Sequence, residues 1–185
     1  MGYIVFLDRD GVINIDSSEY IKNKSEFKFI PKSPEAIALL CKNGFHVIVI
    51  TNQSMIGRNM VTQESLDAIF KKMKNGVKKA GGEIKDIFFC PHAPEDNCSC
   101  RKPKPGLILD AQKKYHIDLD QSCMVGDSIK DIECAINAGC SKILLVKTGN
   151  GSMAEHQLSS KGITPDFIGS DLYEAALWII KNVKI

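Results

Sequence analysis

The segment Val5-Phe6-Leu7-Asp8-Arg9-Asp10-Gly11-Val12 sets two carboxylates two positions apart, directly after a short apolar run. Acids this close repel, so they call for a cation between them or a shared proton. Their oxygens are hard donors suited to Mg²⁺, which takes one or two carboxylates together with a phosphate and waters. Gly11 lets the backbone turn sharply behind them. Taken alone, Asp-x-Asp-Gly is equally a charged turn after a strand, and three further segments shift the balance. Thr51-Asn52-Gln53-Ser54 follows a second apolar run, where a hydroxyl can donate to a phosphate oxygen, although ordinary turns use the same residue types. Gly126-Asp127-Ser128-Ile129-Lys130-Asp131 brings a third acid, Asp127, after another run, with Asp131 one helical turn further on. The alternative there is that Asp127 or Ser128 caps a helix. Arg101-Lys102 supplies a point charge for a phosphoryl group from Lys102 and a planar fork for a second oxyanion from Arg101.

A second constellation carries different chemistry. Cys90-Pro91-His92 and Cys98-Ser99-Cys100 place four soft ligands within eleven positions. Three thiolates and one imidazole suit tetrahedral Zn²⁺, and four protein ligands leave no open position for catalysis, so the role is structural. A Cys98–Cys100 disulfide would be strained at that separation. Arg101 and Lys102 follow Cys100 at once, so a metal-locked loop over residues 90–104 would fix where they point.

The elements that must position these groups read as a βαβ alternation. Tyr3–Leu7, Phe45–Ile50, Ile84–Phe89, Ser122–Val125, Lys142–Val146 and a short Asp166–Ile168 are expected strands, nearly continuous in apolar character as in a parallel sheet covered on both faces. Pro34–Asn43, Gln63–Ala80, Pro105–Tyr115, Ile129–Ala138 and about 171–181 are expected helices. Ser33 and Thr62 are the expected N-caps of the first two, and Gly44, Gly81 and Gly139 are stops. His156 falls in a late loop or helix. Two stretches, 14–31 and 90–104, fit no regular element, and long loops in an α/β domain are usually functional. The expected fold is one three-layer, doubly wound, mainly parallel α/β domain over residues 1–185, with no large cap domain. The chain has 185 residues, 44% hydrophobic and 25% charged, with a formal charge of +2, and carries no basic stripe for nucleic acid. No membrane span and no export signal are expected, and seven cysteines point to reduced thiols in the cytoplasm.

In order along the chain, Asp8-x-Asp10, Thr51, Lys102 and Gly126-Asp127-x-x-x-Asp131 resemble the four signatures of the haloacid dehalogenase-like hydrolases. The longer strings from Phe6 to Asn14, Thr51 to Ser54 and Cys100 to Pro103 are similar to those of the D,D-heptose 1,7-bisphosphate and histidinol-phosphate phosphatases. The resemblance implies that Asp8 attacks phosphorus and becomes an aspartyl-phosphate, while Asp10 serves as acid and then base. It implies Mg²⁺ on Asp8, the Asp10 carbonyl and Asp127, with Asp131 ordering metal-bound water and Thr51 and Lys102 holding the phosphoryl group. It also implies the Cys90, His92, Cys98, Cys100 zinc set. Asn52, Gln53, Ser54, Arg101, Asp16 and Glu19 are expected substrate contacts. The expected substrate is a small phosphorylated metabolite, the heptose bisphosphate ahead of histidinol phosphate, and the expected state is a monomer. A receiver-like phospho-acceptor protein is the rival from another class.

Overall fold

Leu7 lies level with Val49 on one neighbouring strand and Val125 on the other, and this register brings three separate chain segments to one rim. The structure is a computed structural model and describes residues 2–184. Its strands are β1 (Ile4–Leu7), β2 (His46–Asn52), β3 (Asp86–Cys90), β4 (Ser122–Gly126), β5 (Lys142–Val146) and β6 (Phe167–Gly169). They form one six-stranded parallel sheet in the order β3-β2-β1-β4-β5-β6. Strand order reverses between β1 and β4, and in open parallel sheets the crevice outside that switch is where ligands bind.

Six helices cover the sheet: α1 (Ser33–Lys42), α2 (Gln63–Lys79), α3 (Gly106–Tyr115), α4 (Ile129–Ala138), α5 (Gly151–Ser160) and α6 (Leu172–Asn182). Alternation along β1 divides the core. Val5 and Leu7 pack with the apolar stripes of α1, α2 and α6, while Ile4 and Phe6 pack with α3 and α4. Each fully buried Val, Leu, Ile or Phe side chain contributes about 1.5–3 kcal/mol over exposure. The central strands are therefore rigid supports for the loops that leave them. The irregular stretch 14–31 is anchored by Ile21, Phe27 and Ile30, all buried, and by the Ile15 N–H donating to the Lys28 carbonyl at 2.9 Å.

Two expectations are corrected. β3 starts at Asp86 rather than Ile84, because pairing with β2 begins where Asp86 meets Ile48. Ser33 is not the cap of α1: Lys32 holds that place with φ 65°, and the Ser33 hydroxyl donates to the Ile13 carbonyl at 2.6 Å. That carbonyl also accepts the Ile30 N–H at 3.0 Å, so two bonds tie the segment leading into α1 to the turn after β1. Residues 151–160 form a full helix, α5, buried through Ala154 and Leu158 against Ile132 and Leu145. No helix among the described residues is long and apolar enough to cross a membrane.

Candidate active site

Asp8 is the first residue past β1, and its N–H still donates to the Val125 carbonyl of β4 at 3.0 Å. Its Oδ1 accepts the Arg9 N–H at 2.6 Å and faces the Lys102 ammonium at 2.8 Å. Lys102 is buried, and its Nζ also lies 2.6 Å from Asp131 Oδ1 and donates to the Ile50 carbonyl at 2.9 Å. The ammonium is thus held between two carboxylates and one carbonyl, and the charge is fixed in place.

Asp127 follows β4 and is buried. Oxygens of Asp8, Asp127 and Asp131 all lie within 4.8 Å of one another. Burial, with the Asp131 and Asp127 charges, pushes the Asp8 carboxyl well above its usual range against the pull of Lys102. Burial and then Asp131 push Asp127 to about 7. Burial works against the Lys102 ammonium, but Asp131 and Asp8 outweigh it and raise its pKa. Three crowded acids around one ammonium leave excess negative charge on hard oxygens, a donor set that fits a divalent cation. Gly11 (φ 78°) and Gly149 (φ 58°) both pack on the Asp127 carboxylate, where a Cβ at either position would overlap it. Both the close approach and the left-handed backbone require glycine.

Asp10 has a different environment. Arg9, itself buried, contacts Asp10 Oδ1 through Nε at 3.1 Å and both oxygens through Nη2 at 2.6 and 2.7 Å. Asn14 Nδ2 donates to Oδ1 at 2.9 Å and Gln53 Nε2 to Oδ2 at 3.1 Å. Burial raises the Asp10 pKa, but the Arg9 charge and these donors outweigh it and lower it overall. Two neighbouring carboxyls are therefore pushed apart, Asp8 upward and Asp10 downward, as acid–base pairs at reaction centres often are.

The cavity above these groups has a volume of about 530 Å³ and is walled by Asp16, Tyr20, Ser54, Arg101, Lys130 and Asn150, among others. Thr51 and Asn52 also reach it. Thr51 Oγ1 accepts from Gln53 Nε2 at 2.8 Å. Asn52 Oδ1 accepts the Lys102 N–H at 3.1 Å, and its Nδ2 donates to the Lys102 carbonyl at 3.3 Å, clamping that backbone to β2. Three sequence expectations are placed differently. Gln53 is buried beneath the cavity and joins Thr51 to Asp10 instead of facing ligand. Glu19 lines the adjacent hollow formed with Lys22 and Lys28. Asp131 spends Oδ1 on Lys102 and Oδ2 on the N–H and hydroxyl of Ser128, at 3.0 and 2.6 Å, so it braces the lysine and the start of α4.

The sulfurs of Cys90, Cys98 and Cys100 lie 3.2–3.5 Å apart, and His92 Nδ1 is 3.6 Å from Cys90 Sγ and 3.3 Å from Cys100 Sγ. Tetrahedral zinc at Zn–S of about 2.3 Å needs sulfurs roughly 3.8 Å apart, so a slight spreading of this cluster fits the ion. The loop is tied to the rim: Arg101 Nη1 donates to the His92 carbonyl at 3.2 Å, and the Gln53 N–H donates to the Cys90 carbonyl at 2.7 Å.

Sequence reading missed Arg9, Asn14, Gly149 and Asn150. The Asn150 N–H donates to Asp127 Oδ2 at 2.8 Å. Thr148-Gly149-Asn150 comes just after β5, and the strand-end rule that found Asp8 and Asp127 could have found it too.

The family model for HAD-hydrolase-like proteins matches residues 99–175. A D-glycero-beta-D-manno-heptose-1,7-bisphosphate 7-phosphatase of Pseudomonas aeruginosa is 47% identical over 148 residues, 80% of this chain and 83% of that protein. The protein of the same name from Bordetella bronchiseptica is 43% identical over 148 residues, 80% of this chain and 82% of its own length. The crystal structure of D,D-heptose 1,7-bisphosphate phosphatase from B. bronchiseptica, complexed with magnesium and phosphate, superposes with a TM-score of 0.91 at 37% identity. That match covers 98% of this chain and 99% of the crystallised one.

Proposed function

The chain belongs to the haloacid dehalogenase-like hydrolases, among the heptose-bisphosphate 7-phosphatases, and on that premise we propose that it removes the C7 phosphate of D-glycero-D-manno-heptose 1,7-bisphosphate through a phosphoryl group carried on Asp8. The carrying observation is the position of Asp8, at the base of the cavity with Lys102 on one side and Asp127 on the other. An Asp8 oxygen attacks phosphorus, the bond from phosphorus to the sugar oxygen breaks, and the leaving oxygen takes a proton from Asp10. Asp10 then accepts a proton from water as that water's oxygen attacks phosphorus, and Asp8 is released. The Arg9 clamp favours the ionised Asp10 that this second step needs. Thr51 and Lys102 hold the phosphoryl oxygens, while Asp131 and Asn52 keep Lys102 in place. Mg²⁺, held by Asp8, the Asp10 carbonyl and Asp127, would supply the positive charge that neutralises the transferring group.

The cavity wall adds Arg101 and Lys130 to the buried Lys102, which fits a second phosphate better than the amine of histidinol phosphate. Asp16 is placed to accept from sugar hydroxyls. Zn²⁺ on Cys90, His92, Cys98 and Cys100 would have a structural role, holding Arg101 and Lys102 toward the cavity. Seven free thiols fit a reducing compartment, the cytoplasm, and a site built within one chain fits a monomer. A phosphate-release screen over sugar phosphates, both anomers of the heptose bisphosphate and histidinol phosphate tests this reading. Highest kcat/KM on the heptose bisphosphate is expected. Faster histidinol phosphate hydrolysis would reassign the substrate, and a stable phosphoprotein without phosphate release would mark a phospho-acceptor instead.

A further inference from the structure

Asn150 stands where two functional regions meet. Its backbone N–H donates to Asp127 Oδ2 at 2.8 Å, and its carboxamide Nδ2 lies 3.4 Å from the same oxygen. The same Nδ2 lies 3.4 Å from Asp16 Oδ2, on a loop that lines the same cavity as α5. A carboxamide nitrogen carries two hydrogens, so one group can serve both carboxylates at once. Both contacts are long, and their strength comes from two acceptors that carry charge. Removing the carboxamide leaves Asp16 without this donor and Asp127 with only the backbone N–H of Asn150. Asp16 already adds a repulsive contribution at Asp127. Asn150 makes no side-chain cap to α5, so its carboxamide does nothing for the helix it precedes.

We propose that the Asn150 side chain is a positioning residue that joins Asp127 to the Asp16 loop, so that the grip on the divalent cation and the grip on the sugar are set together. Its role presupposes the phosphatase reading above. By holding Oδ2 of Asp127, Asn150 fixes the orientation of a carboxylate that shares the site with Asp8. By holding Asp16, it ties that loop to the cavity wall. Binding energy gained at either end is then felt at the other, which is thermodynamic coupling through one side chain.

The test uses Asn150→Ala, Asp16→Asn and the double variant. In full-length protein free of substrate, Mg²⁺ alone is titrated calorimetrically, and about threefold weaker binding is expected for Asn150→Ala. At saturating Mg²⁺, Asn150→Ala should raise KM for the heptose bisphosphate about fivefold, with a smaller change in kcat. In the Asp16→Asn background the same substitution should change KM less than about twofold, because the charge that strengthens its contact at position 16 is already lost. Equal KM changes in both backgrounds, or Mg²⁺ affinity untouched by Asn150→Ala, would overturn the proposal. Asn150→Ser, which retains a short polar group, should lie between wild type and alanine; a serine variant worse than alanine would also count against it. If wild type fails to turn over the heptose bisphosphate, the substrate reading falls, and the calorimetric arm still decides the part played by Asn150.

Discussion

Replacing Asp127 by Asn should stabilise the magnesium-free protein while destroying its response to the ion. Asp127 is 3% exposed, and burial with the Asp131 charge lifts its pKa from 3.8 to about 7. A carboxyl whose pKa rises on folding favours the folded state when protonated. Its contribution is fully present below about pH 4 and is lost as the pH climbs through 7. The gap between the two values corresponds to roughly 4 kcal/mol at pH 8, as an order of magnitude. Asparagine has the same shape, carries no charge, and still offers an oxygen to the Asn150 N–H. For a chain of this size each kcal/mol moves the melting temperature by about 2–4 °C, so a gain of roughly 8–16 °C is the upper range. The assay is thermal melting in magnesium-free buffer at pH 8 and pH 5, then with Mg²⁺ added. The variant should melt higher at pH 8, the advantage should shrink at pH 5, and Mg²⁺ should raise only the wild type. A variant that melts below wild type at pH 8 without Mg²⁺ would refute the picture of Asp127 as a carboxylate held at a cost for a cation.

Other perturbations follow from the same geometry. Asp8→Asn should abolish turnover while leaving the far-UV circular dichroism unchanged; measurable phosphate release would remove Asp8 as nucleophile. Lys102→Met breaks a buried ion pair with Asp8 and Asp131, at a cost of about 3–5 kcal/mol in magnesium-free buffer at pH 8, read by urea unfolding. The same variant should lose at least about a hundredfold in kcat. Cys98→Ser should lower zinc content, increase proteolysis within residues 90–104 and raise KM; normal kinetics in zinc-free protein would show that the cluster does not position Arg101 and Lys102. Gly149→Ala places a Cβ on the Asp127 carboxylate at a left-handed backbone position, and weaker Mg²⁺ binding by calorimetry is the expected result.

The acidic pair, the third acid and the thiol set were legible in the sequence because each is local. Asp8 and Asp127 directly follow apolar runs, and parallel strands deliver their ends to one rim. What was not legible depends on contacts between distant segments. The strand-end rule can place Asn150 on the rim, but nothing near it in sequence names Asp127 and Asp16 as its partners, because the chain returns there only through α4 and β5. Gly149 reads as a turn glycine until Asp127 is seen packed on it. Arg9 looks like a surface charge between two acids, yet it is 1% exposed and turned onto Asp10. Gln53 belongs to a string that faces phosphate, but its carboxamide is buried and spent on Thr51 and Asp10. Helix α5 escaped because its opening glycine and the preceding Thr-Gly-Asn carry turn chemistry, while its burial comes from β5 and α4.

The most direct test follows the phosphorus signals of the heptose 1,7-bisphosphate by ³¹P NMR as the purified protein acts with and without Mg²⁺. The C7 resonance should give way to inorganic phosphate while the C1 resonance persists, only when the ion is present and not with Asp8→Asn. Loss of the C1 phosphate first, or turnover that survives both omission of the ion and replacement of Asp8, would contradict the account.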